Sequence, residues 1–185
     1  MSSKSIGKRI TISEHADAIT IVISQKISFA QQIALEMWFG AWIGLGGLIG
    51  YGVYNFVDER YVYLICMTFW GFFFVRIGKV IAWRRIGNEV IRINKNEMLL
   101  KNAFKKRGKD RFYRLSELGN FQAVKKNIKS FMGSLDNSFW IIGGDTIHFK
   151  YKGKTHVLGK QLPESDSKQL ATYLNKSVQR FSKKK

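Results

Sequence analysis

The amino-acid sequence predicts an α+β membrane protein: a two-helix transmembrane hairpin set between a short N-terminal β-hairpin and a domain of about seven short strands closed by a C-terminal helix. Three observations predict it. Met37 to Val57 and Tyr61 to Val75 carry no charged residue, and only Asp58, Glu59 and Arg60 separate them. From Gly87 the chain turns to short alternating runs punctuated by Gly143, Gly144 and Gly153, the texture of strands and turns. After Pro163, Leu170, Leu174, Val178 and Phe181 recur at helical spacing, which gives a helix one apolar face. The expected divisions are a β-hairpin segment at 1–30, the membrane hairpin at 31–86, the sheet domain at 87–182 and a basic tail at 183–185.

Arg9 to Ser13 and Ala18 to Ser24 alternate isoleucines with polar neighbours, so two strands are expected, with a turn at Glu14 to Asp17. A lone two-stranded hairpin is marginal in water. It should therefore pack on the C-terminal domain. Lys4, Lys8 and Arg9 precede a polar stretch rather than an apolar one, so the start of the chain does not read as a secretory signal. His15 lies in the turn and reads as a solvated loop residue.

The two apolar runs come next. A helix rises about 1.5 Å per residue, so about 20 apolar residues cross a hydrocarbon core of roughly 30 Å. Basic residues flank the far ends of both runs: Lys4, Lys8, Arg9 and Lys26 before the first, Arg84 and Arg85 after the second. The turn offers only Arg60 beside two acids. Positive charge favours the cytoplasmic side, so both termini are expected there, with the turn outside. Trp38, Trp42, Tyr54, Tyr61, Tyr63 and Trp83 are read as interfacial aromatics at the ends of the runs.

Glu36, Arg76 and Lys79 lie at the cytoplasmic end of such a hairpin. Glu36 and Lys79 differ in depth by about three residues, roughly 5 Å. A Glu36–Lys79 or Glu36–Arg76 pair is expected, with the basic stems snorkelling to the interface. The alternative is an oligomeric transporter or channel lined by the same three residues. Gly40 and Gly44 form a small-xxx-small pair, as do Gly46 and Gly50, and Gly71 and Gly78 lie seven apart on the second helix. These glycines serve either packing within the hairpin or homo-oligomerisation.

Past the membrane, strands are expected at Glu89 to Asn94, Met98 to Ala103, Arg111 to Leu115, Gly119 to Val124, Ser138 to Ile142, Thr146 to Tyr151 and Thr155 to Leu158, with a longer loop over Asn127 to Asn137. A helix follows Pro163, with Glu164 and Asp166 near its positive end and Ser165 as its expected cap.

Seven strands followed by a helix is the order of a pleckstrin-homology-like (PH-like) barrel. Gly87-Asn88-Glu89-Val90-Ile91 after the second apolar run, and Gly144, Ile147, Phe149, Tyr151, Gly153 and Gly159 in the last strands, carry a further likeness. Over nearly its whole length the chain resembles bacterial membrane proteins in which a strand hairpin precedes two spanning helices and a PH-like domain. The resemblance implies that fold and a bacterial inner-membrane location; it brings no catalytic residues.

Charge bounds the partners. The chain carries a net +18, and residues 87–185 hold 22 Lys and Arg against 8 acids, so an anionic partner is expected. Lys101, Lys105, Lys106, Arg107 and Lys109, with Arg84 and Arg85 at the membrane, are the lipid-binding candidates; Arg111 and Arg114 continue the first cluster. Lys125, Lys126 and Lys129 form a second cluster, and Lys150, Lys152 and Lys154 a third. A residue this close to an anionic leaflet contributes on the order of 1 kcal/mol. Nucleic acid is disfavoured: Phe104, Phe112, Tyr113 and Phe131 lie among the basic residues, but no binding motif accompanies them.

Catalysis finds little footing. His148 and His156 fall on adjacent expected strands, where they are read as able to face each other, yet no cysteine or carboxylate pair completes a metal set. Cys66, the single cysteine, lies in the second apolar run, so no disulfide forms within the chain and a reducing compartment suits it. No phosphate-binding glycine loop is present. The expectation is a non-enzymatic accessory or scaffold subunit with no cofactor. It would hold a membrane or cytoplasmic protein at the membrane face, with Phe139 and Trp140 as partner-binding candidates.

Overall fold

The computed structural model describes residues 2–104, 108–124 and 140–182. Among the described residues the protein is α+β, with three α-helices and two antiparallel sheets. Strands β1 (Ser2–Ile6), β2 (Ile10–Glu14) and β3 (Ala18–Ser24) precede helices α1 (Phe29–Asn55) and α2 (Arg60–Ile86). Strands β4 (Gly87–Asn94), β5 (Glu97–Phe104), β6 (Asp110–Arg114), β7 (Gln122–Ala123), β8 (Asp145–Tyr151) and β9 (Lys154–Lys160) follow, and α3 (Glu164–Ser182) ends the fold.

Strands from both sides of the helical hairpin share one sheet. Its order is β1-β2-β3-β4-β5-β6, and β3 pairs with β4 over seven positions, from Ala18 opposite Asn94 to Ser24 opposite Asn88. The expected N-terminal hairpin is thus the first half of a six-stranded sheet, extended by a third strand, β1. The alternating isoleucines explain the register. Ile12, Ile21, Ile91 and Leu100 face one another across four strands, and so do Ile19, Ile93, Met98 and Tyr113. A one-residue slip would turn every one of these side chains to the other face.

The second sheet has order β7-β8-β9. Among the described residues the two sheets do not join into a closed barrel. Of the seven strands expected after the membrane, β4, β5, β6, β8 and β9 match closely. The strand expected over Gly119 to Val124 shortens to Gln122–Ala123. Ser138 and Phe139 lie outside the described residues, as do 125–137, and Trp140 to Ile142 form turn and bend rather than strand.

Helix α3 lays Leu170, Leu174 and Phe181 into the core made by both sheets. The Asn175 amide receives the Phe121 backbone N–H and donates to the Phe121 carbonyl, each at 2.9 Å. The helix starts on Pro163, whose carbonyl accepts from Ser167 N at 2.9 Å. Ser165 sits inside the first turn and donates to Asp166, so it is not the cap that the sequence suggests.

Helices α1 and α2 are each long and apolar enough to cross a membrane, and the protein itself buries only 11% and 6% of their apolar windows. Phe29, Met37, Leu48, Phe69 and Phe72 are among many large side chains left exposed. Each forfeits roughly 1.5–3 kcal/mol in water, so ten of them outweigh the ~5–15 kcal/mol by which a domain is stable.

Ser28 caps α1 reciprocally with Gln31. Between the helices, Trp70 Nε1 donates to the Trp42 carbonyl at 2.7 Å and Trp42 Nε1 to the Trp70 carbonyl at 3.3 Å. Trp42 therefore sits midway along α1, bonded across the hairpin, and not at an interface as the sequence suggests. In an apolar solvent an indole N–H must find its acceptor inside the protein.

Candidate functional site

The glycines divide by role. A Cβ on Gly46 would stand 2.3 Å from the Trp70 ring, while Gly50 and Gly78 lie within contact of Met67 and Phe39. These three let the helices close. Gly40, Gly44 and Gly71 have nothing within 4 Å and take no part in packing the hairpin. Gly52, under the Tyr63 ring, is a packing position that the spacing motifs did not mark.

At the sheet end of the hairpin, Glu36 meets Arg85 in a two-pronged ion pair, Nε to Oε1 at 2.8 Å and Nη2 to Oε2 at 2.9 Å. The expected partners stand elsewhere: the Arg76 guanidinium lies over the Phe72 ring at 6.0 Å, and Lys79 is exposed. The reason is the lean of helical side chains toward their own N-terminus. Glu36 on α1 leans toward the sheet domain and Arg85 on α2 leans back toward the turn, so the two converge. By the observed helix ends, Asn55 and Arg60, Lys79 is level with Glu36 and not three residues off as counting from the turn suggests, but it leans away.

Arg84 turns inward. It is 2% exposed and donates to the Ile141 carbonyl at 2.9 Å and to Gln161 Oε1. Burial removes it from the set of residues that could meet a headgroup and leaves Arg85 as the exposed cation of that pair. Arg9, in the turn before β2, closes the same junction. It donates to the Ser24 and Gln161 carbonyls at 2.7 Å and to Gln25 Oε1 at 2.9 Å. Its burial lowers its affinity for a proton, against the pull of Glu89 and Asp166. One arginine from before the helical hairpin and one from the last turn of α2 thus grip the β9–α3 connection. Trp140 packs edge-on against Trp38 with centroids 5.8 Å apart, which puts it against the hairpin rather than on a strand.

The most unusual group is Glu89. Its row runs from Ile6, Ile10 and Ile23 to Glu89 and Asn102, so a carboxylate occupies an inward position of the sheet. It is 1% exposed. Its Oε2 accepts the backbone N–H of Gly159 at 2.9 Å and of Lys160 at 3.3 Å. Gly159 has φ +75, a backbone conformation that costs glycine little and that turns its N–H toward the carboxylate. Burial, helped by Asp145 and opposed by those two N–H groups and Lys160, pushes Glu89 up to about 7. Beside it opens a cavity of about 330 Å³, lined by Glu89, Leu100, Asn102, Lys109, Arg111, Asp145, Val157 and Lys160. It lies at the seam between β4, β5 and β6 of the first sheet and β8 and β9 of the second, which no strand pairing joins among the described residues.

Of the lipid candidates, Lys109 lines this cavity, and Lys101 is tied to Asp110 at 3.0 Å. Lys105, Lys106 and Arg107 lie outside the described residues, as do Phe139, Lys125, Lys126, Lys129, Phe131 and the 183–185 tail. The two histidines face apart: His156 is opposite Phe149 and His148 opposite Val157. His156 reaches Tyr113 Oη at 3.3 Å and bridges the two sheets. Among the described residues no group of His, Cys, Asp and Glu could hold a metal ion. Position 89 did carry a signal: it stands two and four residues before Ile91 and Ile93, which puts all three on one face.

Comparison of this chain with protein-family models, with curated proteins and with solved structures finds no match.

Proposed function

We propose that the chain is a non-catalytic accessory subunit of the bacterial inner membrane. Its helical hairpin would hold a basic, PH-like domain at the cytoplasmic face, where the domain engages anionic lipid and a protein partner. The observation that carries the reading is the pairing of β3 with β4. Both ends of an apolar hairpin enter the same sheet, so a hairpin that spans a bilayer leaves both chain ends on one side. The excess of Lys and Arg around those ends makes that side the cytoplasm.

Rigid attachment supports the lipid contact. Sheet and hairpin share the Arg9 and Arg84 junction, and Phe104 at the end of β5 packs on Trp83 of α2 at 5.0 Å. The basic domain is thus held beside the leaflet with little further ordering, where each nearby cation contributes on the order of 1 kcal/mol. For a protein partner the support is Trp38 and Trp140, which are 47% and 40% exposed at the junction. Large half-exposed aromatics of this kind anchor interfaces.

The test uses the full chain in nanodiscs of neutral or anionic lipid, with lysine acetylation read by mass spectrometry. Lysines on the leaflet side should be protected in anionic discs at low salt and released at high salt. Protection that ignores both lipid charge and salt would overturn the lipid part of the reading. Cross-linking from position 140 in cells addresses the partner, and Trp38→Ala should abolish any specific product.

A further inference from the structure

One corner of the six-stranded sheet carries polar residues on its inward rows. Inward positions in the middle of the sheet are isoleucine, leucine, methionine or tyrosine, and the carboxylate at the far edge, Glu14, is matched by Tyr173 and Arg180 of α3. At the corner nearest the helices they are Glu89 and Asn102, and Leu100 is faced by Arg111. Core packing gives no reason for this, because a buried carboxylate costs stability that an apolar residue would not. The corner opens into the seam cavity, whose size suits a small polar group.

The charges of that cavity are unevenly matched. Its acids are already engaged: Glu89 receives two backbone N–H groups, and Asp145 pairs with Lys160 at 3.7 Å. Lys109 and Arg111 have no ion-pair partner among the described residues. Two unmatched cations, one of them the forked donor that suits phosphate, therefore converge with the Asn102 amide on a space walled by Leu100 and Val157. We propose that this seam cavity binds a phosphate group, held by Lys109 and Arg111 and oriented by Asn102.

The place in the fold points to a lipid headgroup as the source. Glu89 and Asn102 pair two residues below Gly87, where α2 gives way to β4. At about 3.3 Å per residue this is roughly 7 Å from the helix end, within the depth of an interfacial headgroup layer. This choice of source rests on the helices crossing a membrane; the phosphate chemistry does not.

Glu89 makes binding pH-dependent. It is faced by Asp145 on β8, Lys160 on β9, Lys109 and Arg111 at β6, and Arg9 before β2. Its ionised form repels a phosphate, and its protonated form does not. Glu89 therefore weakens binding as pH rises through its own titration range, while the phosphate gains charge above its second pKa of about 6, so the contribution of Glu89 is the difference between wild type and Glu89→Gln at each pH.

The experiment takes the full chain in neutral maltoside micelles, titrated with inorganic phosphate and with glycerol 3-phosphate and followed by phosphorus NMR. In parallel, the chain is taken from nanodiscs containing phosphatidic acid for native mass spectrometry of retained lipid. Lys109→Gln with Arg111→Gln should weaken binding ~10-fold or more, as expected for charge-assisted hydrogen bonds. Lys154→Gln with Lys176→Gln removes the same charge away from the cavity and should leave binding intact. Glu89→Gln should strengthen binding at pH 8 and change it little at pH 5. Retained lipid lost only in the cavity variant assigns the site to a headgroup; phosphate bound in micelles with no lipid retained assigns it to a soluble phosphate ester. Equal losses in both double variants, or no loss in the cavity variant, would overturn the proposal. Neither result touches membrane anchoring, which the nanodisc protection experiment judges separately.

Discussion

Replacing Glu89 by Gln isolates the cost of burying a carboxylate in the sheet. The amide oxygen of glutamine can still accept from Gly159 N and Lys160 N, so shape and hydrogen bonds persist while the titration disappears. Glu89 rises from 4.5 to about 7 on folding; at about 1.4 kcal/mol per pH unit this is on the order of 3 kcal/mol. The sign follows from proton counting. Between these two values the folded protein holds a proton that the unfolded chain has released, so stability falls as pH rises through that window, and the loss is complete above it. The variant lacks this loss. Melting of the full chain in neutral micelles, read by circular dichroism at pH 5 and pH 8, measures it. For a chain of this size 1 kcal/mol moves the midpoint by about 2–4 °C, so the advantage of Glu89→Gln over wild type should be larger at pH 8 than at pH 5 by roughly 6–12 °C. An advantage that does not change with pH, or one that shrinks at high pH, would refute the reasoning.

Other outcomes follow from the same geometry. Gly46→Leu drives a side chain into the Trp70 ring and should cost about 1–3 kcal/mol in detergent melts, whereas Gly44→Leu, with open space around it, should stay within about 0.5 kcal/mol. Deleting residues 1–24 strips β4 of its partner β3 and uncovers Ile91 and Ile93; the truncated chain should aggregate on size exclusion and lose its protease-resistant core. A double-mutant cycle between Glu36 and Arg85 should give a salt-sensitive coupling of about 0.2–1 kcal/mol, because the pair is partly exposed. The same cycle between Glu36 and Lys79 should give none.

Much of this was legible in the sequence because the signals are local. The uncharged runs gave both helices, and the alternating isoleucines at 10, 12, 19, 21 and 23 gave two strands. β1 escaped notice because Ser2–Ile6 is a polar edge strand in which Ile6 alone packs on the core. The pairing of β3 with β4 was illegible as a register: its partners lie some seventy positions apart in the chain, and only the fold brings them together. Depth counting misassigned the partner of Glu36 because it ignored the direction in which side chains lean. Among the site residues, Lys109 and Arg111 were marked by charge, but Asn102 and Lys160 join them only when β5, β6 and β9 meet at the seam. A lone glutamate in a strand reads as solvent-facing until its neighbours Ile91 and Ile93 are placed on the same face.

The claim beneath all of this is that the hairpin crosses a membrane and its two flanks close into one sheet on the cytoplasmic side. Single cysteines at Glu59→Cys, Thr20→Cys and Arg92→Cys, with Cys66 replaced by serine, test it in intact cells with a membrane-impermeant maleimide. Position 59 should label from outside, and positions 20 and 92 only after permeabilisation. Labelling that puts positions 20 and 92 on opposite sides, or leaves position 59 protected while either flank reacts, would contradict the account.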